Sequence, residues 1–468
     1  MNIKHNELKI VKENPFENCK LDRHRYAKIL TNIINSYSSG FVLAINNKWG
    51  TGKSTFVKMW EQELKNSNFK TVYFNAWEND FENNPLTALM GELKTLTTIL
   101  TEQKFKSTLK KAATLTKHIA PIVAKAFADK YIDTEGIKTA IVGVTKGLTD
   151  VFENDVNEYS KKKKNISEFK DSLSEFIEKT SNEKPLIFII DELDRCRPDY
   201  AVSILEQIKH FFSVPNIIFI LSIDKVQLGN AVRGVYGSDK IDADEYLRRF
   251  IDLEYSIPEP KSGIFHQYLY DYFKFDDFFA SPERAEHSEL KYDKSNVLKI
   301  CDILFSNISL REQEKIFALT KISLRAFTNN SYVFPFVYLF LTFVKIKKND
   351  LYISLKSKTL TIQELQDEYF GIVGHKLNED NEHELMVLES FLLIFYNNSL
   401  NSDLYDRSKL FEQNTEGESK LLINSIINKA KNIELLRFLE SMNTRRSGGN
   451  LNLDYFFNKI DLLEELKI

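Results

Sequence analysis

Phe41–Phe56 reads FVLAINNKWGTGKSTF, and its three parts decide the fold. Phe41–Ile45 is a short, continuous apolar run of the kind that forms a buried strand. A loop holding Gly50 and Gly52 follows, and Lys53-Ser54-Thr55 then opens an amphipathic helix over Ser54–Lys65. In a strand–loop–helix of this kind, glycines let backbone N–H groups turn inward, and the helix N-terminus adds partial positive charge. Together they make a cradle for a polyphosphate. Asn47, Lys48, Trp49, Gly50, Thr51, Gly52, Lys53, Ser54 and Thr55 are therefore the candidate nucleotide-binding residues. Lys53 would reach the β- and γ-phosphates, and the Ser54 hydroxyl would ligate Mg²⁺. The motif G-x-x-x-x-G-K-[ST] has its first glycine where this chain has Asn47. Asparagine tolerates left-handed backbone angles, so the turn is expected to survive.

Outward from the loop, four more apolar runs read as strands: Thr71–Phe74, Leu186–Ile190, Ile217–Ser222 and Leu253–Ile257. Amphipathic stretches such as Tyr200–Phe212 separate them, which predicts an α/β fold with a parallel sheet covered on both faces. Leu186–Arg195 (LIFIIDELDR) delivers Asp191 and Glu192 to the carboxyl end of its strand, the edge where open α/β sheets bind ligands. There Asp191 suits a contact to Mg²⁺ through its water, and Glu192 suits the base that polarises an attacking water. The same pair could instead cap the following helix. The adjacent acid places the chain among P-loop proteins with an extra strand between the loop strand and the Asp strand, for which the expected order is 5-1-4-3-2. Asp224, at the end of the next strand, is either a polar sensor beside that water or the cap of Lys225–Ala231.

The chain has 468 residues, too many for one ordinary core, and about two to four compact units are expected. Hydrophobic residues at 43% and charged residues at 28% exclude a wholly disordered or fibrous chain. Gly (16) and Pro (10) are scarce, which favours helices over a many-turned β fold. A net charge of −3 argues against a globally basic nucleic-acid binder. Three cysteines without a C-x-x-C argue against a disulfide framework and suit a reducing cytoplasm. The longest apolar stretch, Tyr332–Val344, is interrupted by Pro335 and falls short of the roughly 20 residues of a membrane span, so it reads as a core helix. The organisation expected is a P-loop NTPase core over residues 1–258 with a helical insert at 92–184, then a mostly α-helical lid and C-terminal domain over 259–468.

The motifs together resemble the KAP family of P-loop NTPases. The matching pieces are Leu21-Asp22-Arg23, Lys48–Ser54, Phe74-Asn75-Ala76-Trp77, Ile190–Cys196, Leu221-Ser222-Ile223-Asp224, Glu245-Tyr246-Leu247 and Leu310-Arg311-Glu312. The resemblance covers roughly residues 10–345. The tryptophan inside the loop, the Asn-Ala-Trp strand end and Asp-Glu-Leu-Asp-Arg-Cys are its most specific parts. Family members often carry transmembrane helices between the two motifs, where charged residues break up Glu92–Lys184 here, so the chain resembles the members without them. Arg248-Arg249 stands where the family often has Glu-Lys.

The resemblance implies binding and hydrolysis of Mg-ATP, a nucleotide-driven conformational or assembly switch, and a setting in bacterial anti-phage defence. The partners it implies are further copies of the chain or a separately encoded effector. Arg249, before the fifth strand, lies where related ring-forming ATPases carry a finger acting on a neighbour's nucleotide; a surface ion pair is the alternative. Arg311, opening a helix of the lid, is a candidate second sensor. Arg23 and Tyr26 precede the first strand, where they can stack on adenine or pack within a helix. Arg195 lies close to the acidic pair and could also serve as a partner of Asp194. Lysines at 104, 106, 110, 111 and 117, with Lys161–Lys164, read either as a solvated helix face or as contacts to a nucleic-acid backbone. The alternatives kept open are therefore a DNA-acting motor or loader and a non-catalytic nucleotide-binding scaffold.

Overall fold

A computed structural model describes residues 8–37, 40–128, 148–181, 184–212, 214–260, 263–306, 308–401, 407–413, 419–425, 432–444 and 451–463. The chain divides into two compact units, Leu8–Glu259 and Pro260–Ile468.

The first unit is built on five parallel strands: β1 Val42–Asn46, β2 Thr71–Asn75, β3 Leu186–Asp191, β4 Ile217–Ile223 and β5 Leu253–Tyr255. They lie side by side as β2-β3-β4-β1-β5, which is the expected order read from the other edge. All of β3 and β4 is buried. Strands covered on both faces need no polar alternation, and LIFIID and IIFILSI have almost none. Side chains still alternate between two layers. Phe188 and Ile190 of β3 join Phe219 and Leu221 of β4 on one face, with Tyr200, Leu205 and Ile208 of the helix over them. Ile187, Ile189, Ile218 and Ile220 occupy the other face with Phe56, Val57 and Trp60, and with Leu30 and Ile34. Each such side chain contributes roughly 1.5–3 kcal/mol by leaving water.

The helices of this unit are α1 His24–Ser36, α2 Lys53–Asn66, α3 Pro85–Lys94, α4 Glu102–Ala128, α5 Leu148–Thr180, α6 Pro198–Phe212, α7 Lys225–Tyr236 and α8 Ala243–Arg248. α4 and α5 pack on each other between β2 and β3, joined by a buried Thr108–Ser172 hydrogen bond and by Phe105 against Phe176. Among the insert's lysines, Lys104 pairs with Glu175, Lys106 with Glu102, Lys162 with Glu158 and Lys164 with Glu168. The side chain of Lys117 lies outside the described residues.

The second unit is mostly helical, with one short antiparallel pair, Phe411–Gln413 and Ser419–Leu421, that the sequence did not signal. The apolar stretch does form a core helix, but it starts at Pro335 rather than Tyr332, and Pro335–Val344 is entirely buried. Pro335 takes the first helical position, where a proline costs no hydrogen bond. Among the described residues no helix is long and apolar enough to cross a membrane.

Candidate active site

The loop leaves β1 at Asn46, and both asparagines that follow the strand's apolar core act as clamps. Asn46 accepts from the Lys225 amide at 2.9 Å and donates to Glu254 at 2.7 Å, tying β1 to α7 and β5. Asn47 donates to the Ile257 carbonyl at 2.8 Å and accepts from the Ile257 amide at 2.9 Å. The β1–β5 register pairs Leu43 with Leu253 and Ile45 with Tyr255. The Asn47 side chain therefore adds the next rung of that ladder, at the point where the backbone has turned away. Its backbone is not in the left-handed region, whereas Gly50 (φ 77°) and Gly52 (φ 79°) are. The asparagine is thus no stand-in for glycine flexibility; it is a fastener.

Beyond the turn, Thr51 Oγ1 donates to the Lys48 carbonyl at 2.8 Å, and Gly52 caps α2. The Lys53 ammonium is buried and donates to the carbonyls of Asn47 (2.5 Å) and Lys48 (3.2 Å). Burial lowers its proton affinity, while Asp194, Asp224 and Asp191 oppose that effect. Ser54 is half-buried and Thr55 exposed on the first turn of α2.

Asp191 and Glu192 end β3 as expected. Asp191 accepts from the Tyr73 hydroxyl at 2.7 Å and from the Glu192 amide at 3.0 Å. Burial and that carboxylate push the Tyr73 hydroxyl's pKa far up, so Tyr73 remains a donor. Ser222 lies directly beside Asp191 in the register, on the same face as α2. Its hydroxyl is wholly buried and, among the described residues, has no hydrogen-bond partner. A buried orphan hydroxyl is costly, by about 1–3 kcal/mol. The sequence reading passed over Ser222, although it is the lone polar residue at an inward position of IIFILSI.

Glu192 adopts φ 60°, a left-handed angle that costs a non-glycine residue about 1–2 kcal/mol. The bend starts a single 3₁₀ turn, Leu193–Arg195, and returns Arg195 to the Glu192 carboxylate as an ion pair. Of the two places open to Arg195 in the sequence, beside the acidic pair or on Asp194, it takes the first. Asn75, at the end of β2, donates to the other Glu192 oxygen at 3.3 Å. Burial raises the proton affinity of Glu192, and Arg195 works against the rise.

Asp194 turns the other way. It accepts from the Trp49 indole at 2.5 Å and from the Asp224 amide at 2.9 Å, so it ties the phosphate loop to the ends of β3 and β4. Asp224 caps α7 through the amides of Val226 (3.2 Å) and Gln227 (3.4 Å) and accepts from the Trp49 amide at 3.2 Å. Both oxygens are committed to scaffold, in line with the capping alternative.

Arg23 is buried and donates to the carbonyls of Thr51 (2.7 Å) and Gly52 (3.2 Å), bracing the loop from the N-terminal segment. Tyr26 is nearly buried, and its hydroxyl accepts from Arg25 at 2.6 Å. Both thus have protein contacts that base stacking would not supply. Arg249 is exposed at the end of α8 and, among the described residues, bonds to neither loop nor acids. Arg311 is exposed on the first turn of the helix Leu310–Ser323, in the second unit.

Among the described residues no group of three or more His, Cys, Asp or Glu side chains could hold a metal alone. That is compatible with Mg²⁺, which is commonly held by one or two protein oxygens plus substrate phosphates. Ser54 and Asp191 offer such oxygens, and the orphan Ser222 hydroxyl beside Asp191 marks the place as polar and incomplete.

A family model described as the KAP family P-loop domain matches residues 23–327. An uncharacterized protein of Methanocaldococcus jannaschii is 28% identical over 175 residues, covering 32% of this chain and 89% of the relative. Among solved structures, the Aeropyrum pernix ORC2 protein in ADPNP–ADP complexes aligns with TM-score 0.34 at 13% identity, over 90% of this chain and 94% of that one. The Aeropyrum pernix ORC1 protein in complex with DNA aligns with TM-score 0.32 at 11% identity, over 83% and 79%.

Proposed function

The chain belongs to the KAP family of P-loop NTPases, and from that premise we propose that it binds Mg-ATP and hydrolyses it as a conformational or assembly switch. The observation that carries this reading is the convergence, at one sheet edge, of the buried Lys53 ammonium with the Asp191 and Glu192 carboxylates.

Lys53 binds the phosphates. A buried ammonium whose present acceptors are two loop carbonyls has most to gain from a polyanion. Ser54 and Asp191 would hold Mg²⁺, which when bound neutralises charge on the phosphate oxygens. Tyr73 orients Asp191 by its hydroxyl. Glu192 takes the proton from the attacking water. Its burial moves its proton affinity toward working pH, which improves a carboxylate as a base.

ATP affinity and steady-state hydrolysis, measured on wild type, Lys53→Ala and Glu192→Gln, test the proposal. Lys53→Ala should lose binding. Glu192→Gln should bind ATP and lose about 10²–10⁴-fold in kcat. Wild-type turnover no faster than background, with ATP still bound, would leave the scaffold reading in its place. Four of the insert's lysines have glutamate partners on exposed helix surface, as a solvated face would. The biological setting we propose is anti-phage defence, with further copies of the chain or a separate effector as partner. It rests on family kinship, and phage plating on cells carrying wild type or Lys53→Ala checks it.

A further inference from the structure

We propose that Arg195 is a catalytic residue that exchanges partners: its guanidinium holds Glu192 in the resting site and moves to the γ-phosphate when a triphosphate binds. The exchange frees the Glu192 carboxylate to accept the water's proton. The proposal rests on the ATPase reading above and deepens it.

Three observations carry it. The Glu192–Arg195 ion pair is largely shielded, with the two side chains 13% and 22% exposed, so solvent screens it poorly. The other Glu192 oxygen takes the Asn75 amide, so both oxygens of the intended base are engaged at rest. On the ATPase reading Glu192 faces the γ-phosphate, so the guanidinium that Glu192 now holds lies beside that phosphate's place. Finally, Arg195 stands over the Trp77 ring at 5.8 Å, and that ring is half exposed. The ring can steady the guanidinium in transit and report its departure.

Geometry also favours the exchange over a permanent salt bridge. A guanidinium presents a planar fork of donors that fits a phosphate at least as well as a carboxylate, and a γ-phosphate carries more charge than Glu192. Diphosphate has no group at that place. The exchange would thus register the nucleotide's third phosphate, keeping the base occupied with ADP and releasing it with ATP. No bond is made or broken in the swap; only ion-pair partners change.

The test compares wild type, Arg195→Ala and Arg195→Lys for affinity to ADP, affinity to a non-hydrolysable ATP analogue, kcat, and tryptophan emission. Arg195→Ala should keep its ADP affinity within about twofold and lose roughly 10–100-fold for the triphosphate, the worth of a charge-assisted contact. Its kcat should fall by about 10³, the lower range for an arginine at this step. Arg195→Lys should recover part of both losses. The part of the emission that Trp77→Phe removes should change with the triphosphate analogue but not with ADP, and that difference should vanish in Arg195→Ala. Equal loss of ADP and triphosphate affinity would show Arg195 to be structural and overturn the proposal. So would unchanged or raised kcat in Arg195→Ala, which would make it at most a brake. If wild type itself bound no nucleotide, the underlying ATPase reading would fail instead, and the two failures stay distinct.

Discussion

Replacing Asn47 by glycine restores the usual first residue of the phosphate-loop pattern, yet the structure says it should destabilise the protein. The Asn47 side chain makes two hydrogen bonds to the Ile257 peptide, at 2.8 and 2.9 Å. Glycine makes neither, and because position 47 does not need a left-handed angle, glycine gains nothing in exchange. Two neutral bonds at about 1 kcal/mol each, plus about 0.4–1 kcal/mol for glycine's extra freedom in the unfolded chain, give a loss near 2.5–3 kcal/mol. For a unit of this size that corresponds to a fall in Tm of about 5–12 °C. Urea and thermal unfolding followed through Trp60 emission would measure it, since Trp60 is fully buried on α2 within the same unit. Asn47→Asp should also lose stability, because a carboxylate accepts from the Ile257 amide but faces the Ile257 carbonyl with no donor. An Asn47→Gly protein as stable as wild type, or more so, would refute the fastener and restore the view that asparagine merely tolerates a glycine's turn.

Two further perturbations follow from buried charges. Glu192 acts as a base only when ionised, so kcat/KM should fall as pH drops through its pKa; burial places that acid limb above the ordinary carboxylate range, with Arg195 and Asn75 pulling it down and Asp191 and Asp194 pushing it up. Asn75→Ala removes a hydrogen bond to the ionised form, so the acid limb in a pH–rate profile should move to higher pH. In the second unit, Asp293 is paired with the fully buried Arg284, which also donates to the carbonyls of Asn329 (2.8 Å) and Ser331 (2.9 Å). Asp293→Asn leaves that guanidinium charged without its counter-ion and should cost about 3–5 kcal/mol in urea unfolding. Asp293→Asn together with Arg284→Met should recover much of the loss.

The sheet was legible because its central strands β3 and β4 are buried on both faces. LIFII and IIFILS must be apolar throughout to sit between two helical layers, so run length and strand ends could be read within a residue or two. The strand order followed from a single adjacent acid, and the observed sheet has it. The start of the core helix was missed by three residues because Phe334 takes a left-handed angle, which no pattern of apolar residues announces.

The charged cluster after β3 was legible in its members but not in its pairings, and the reason is the chain's path after β3. Asp191, Glu192, Asp194 and Arg195 are close in sequence, so simple charge arithmetic allows several pairings. What selects among them is the left-handed angle at Glu192. It folds Leu193–Arg195 into one tight turn, which brings Arg195 back three residues onto Glu192 and points Asp194 toward Trp49 and the Asp224 amide. One backbone angle therefore sorts the four side chains into two tasks: Asp194 braces the phosphate loop, while Arg195 and Asn75 hold the intended base. Glycine at position 192 would adopt that angle at no cost but would supply no carboxylate. The strain is thus the consequence of needing an acid and a turn at the same residue.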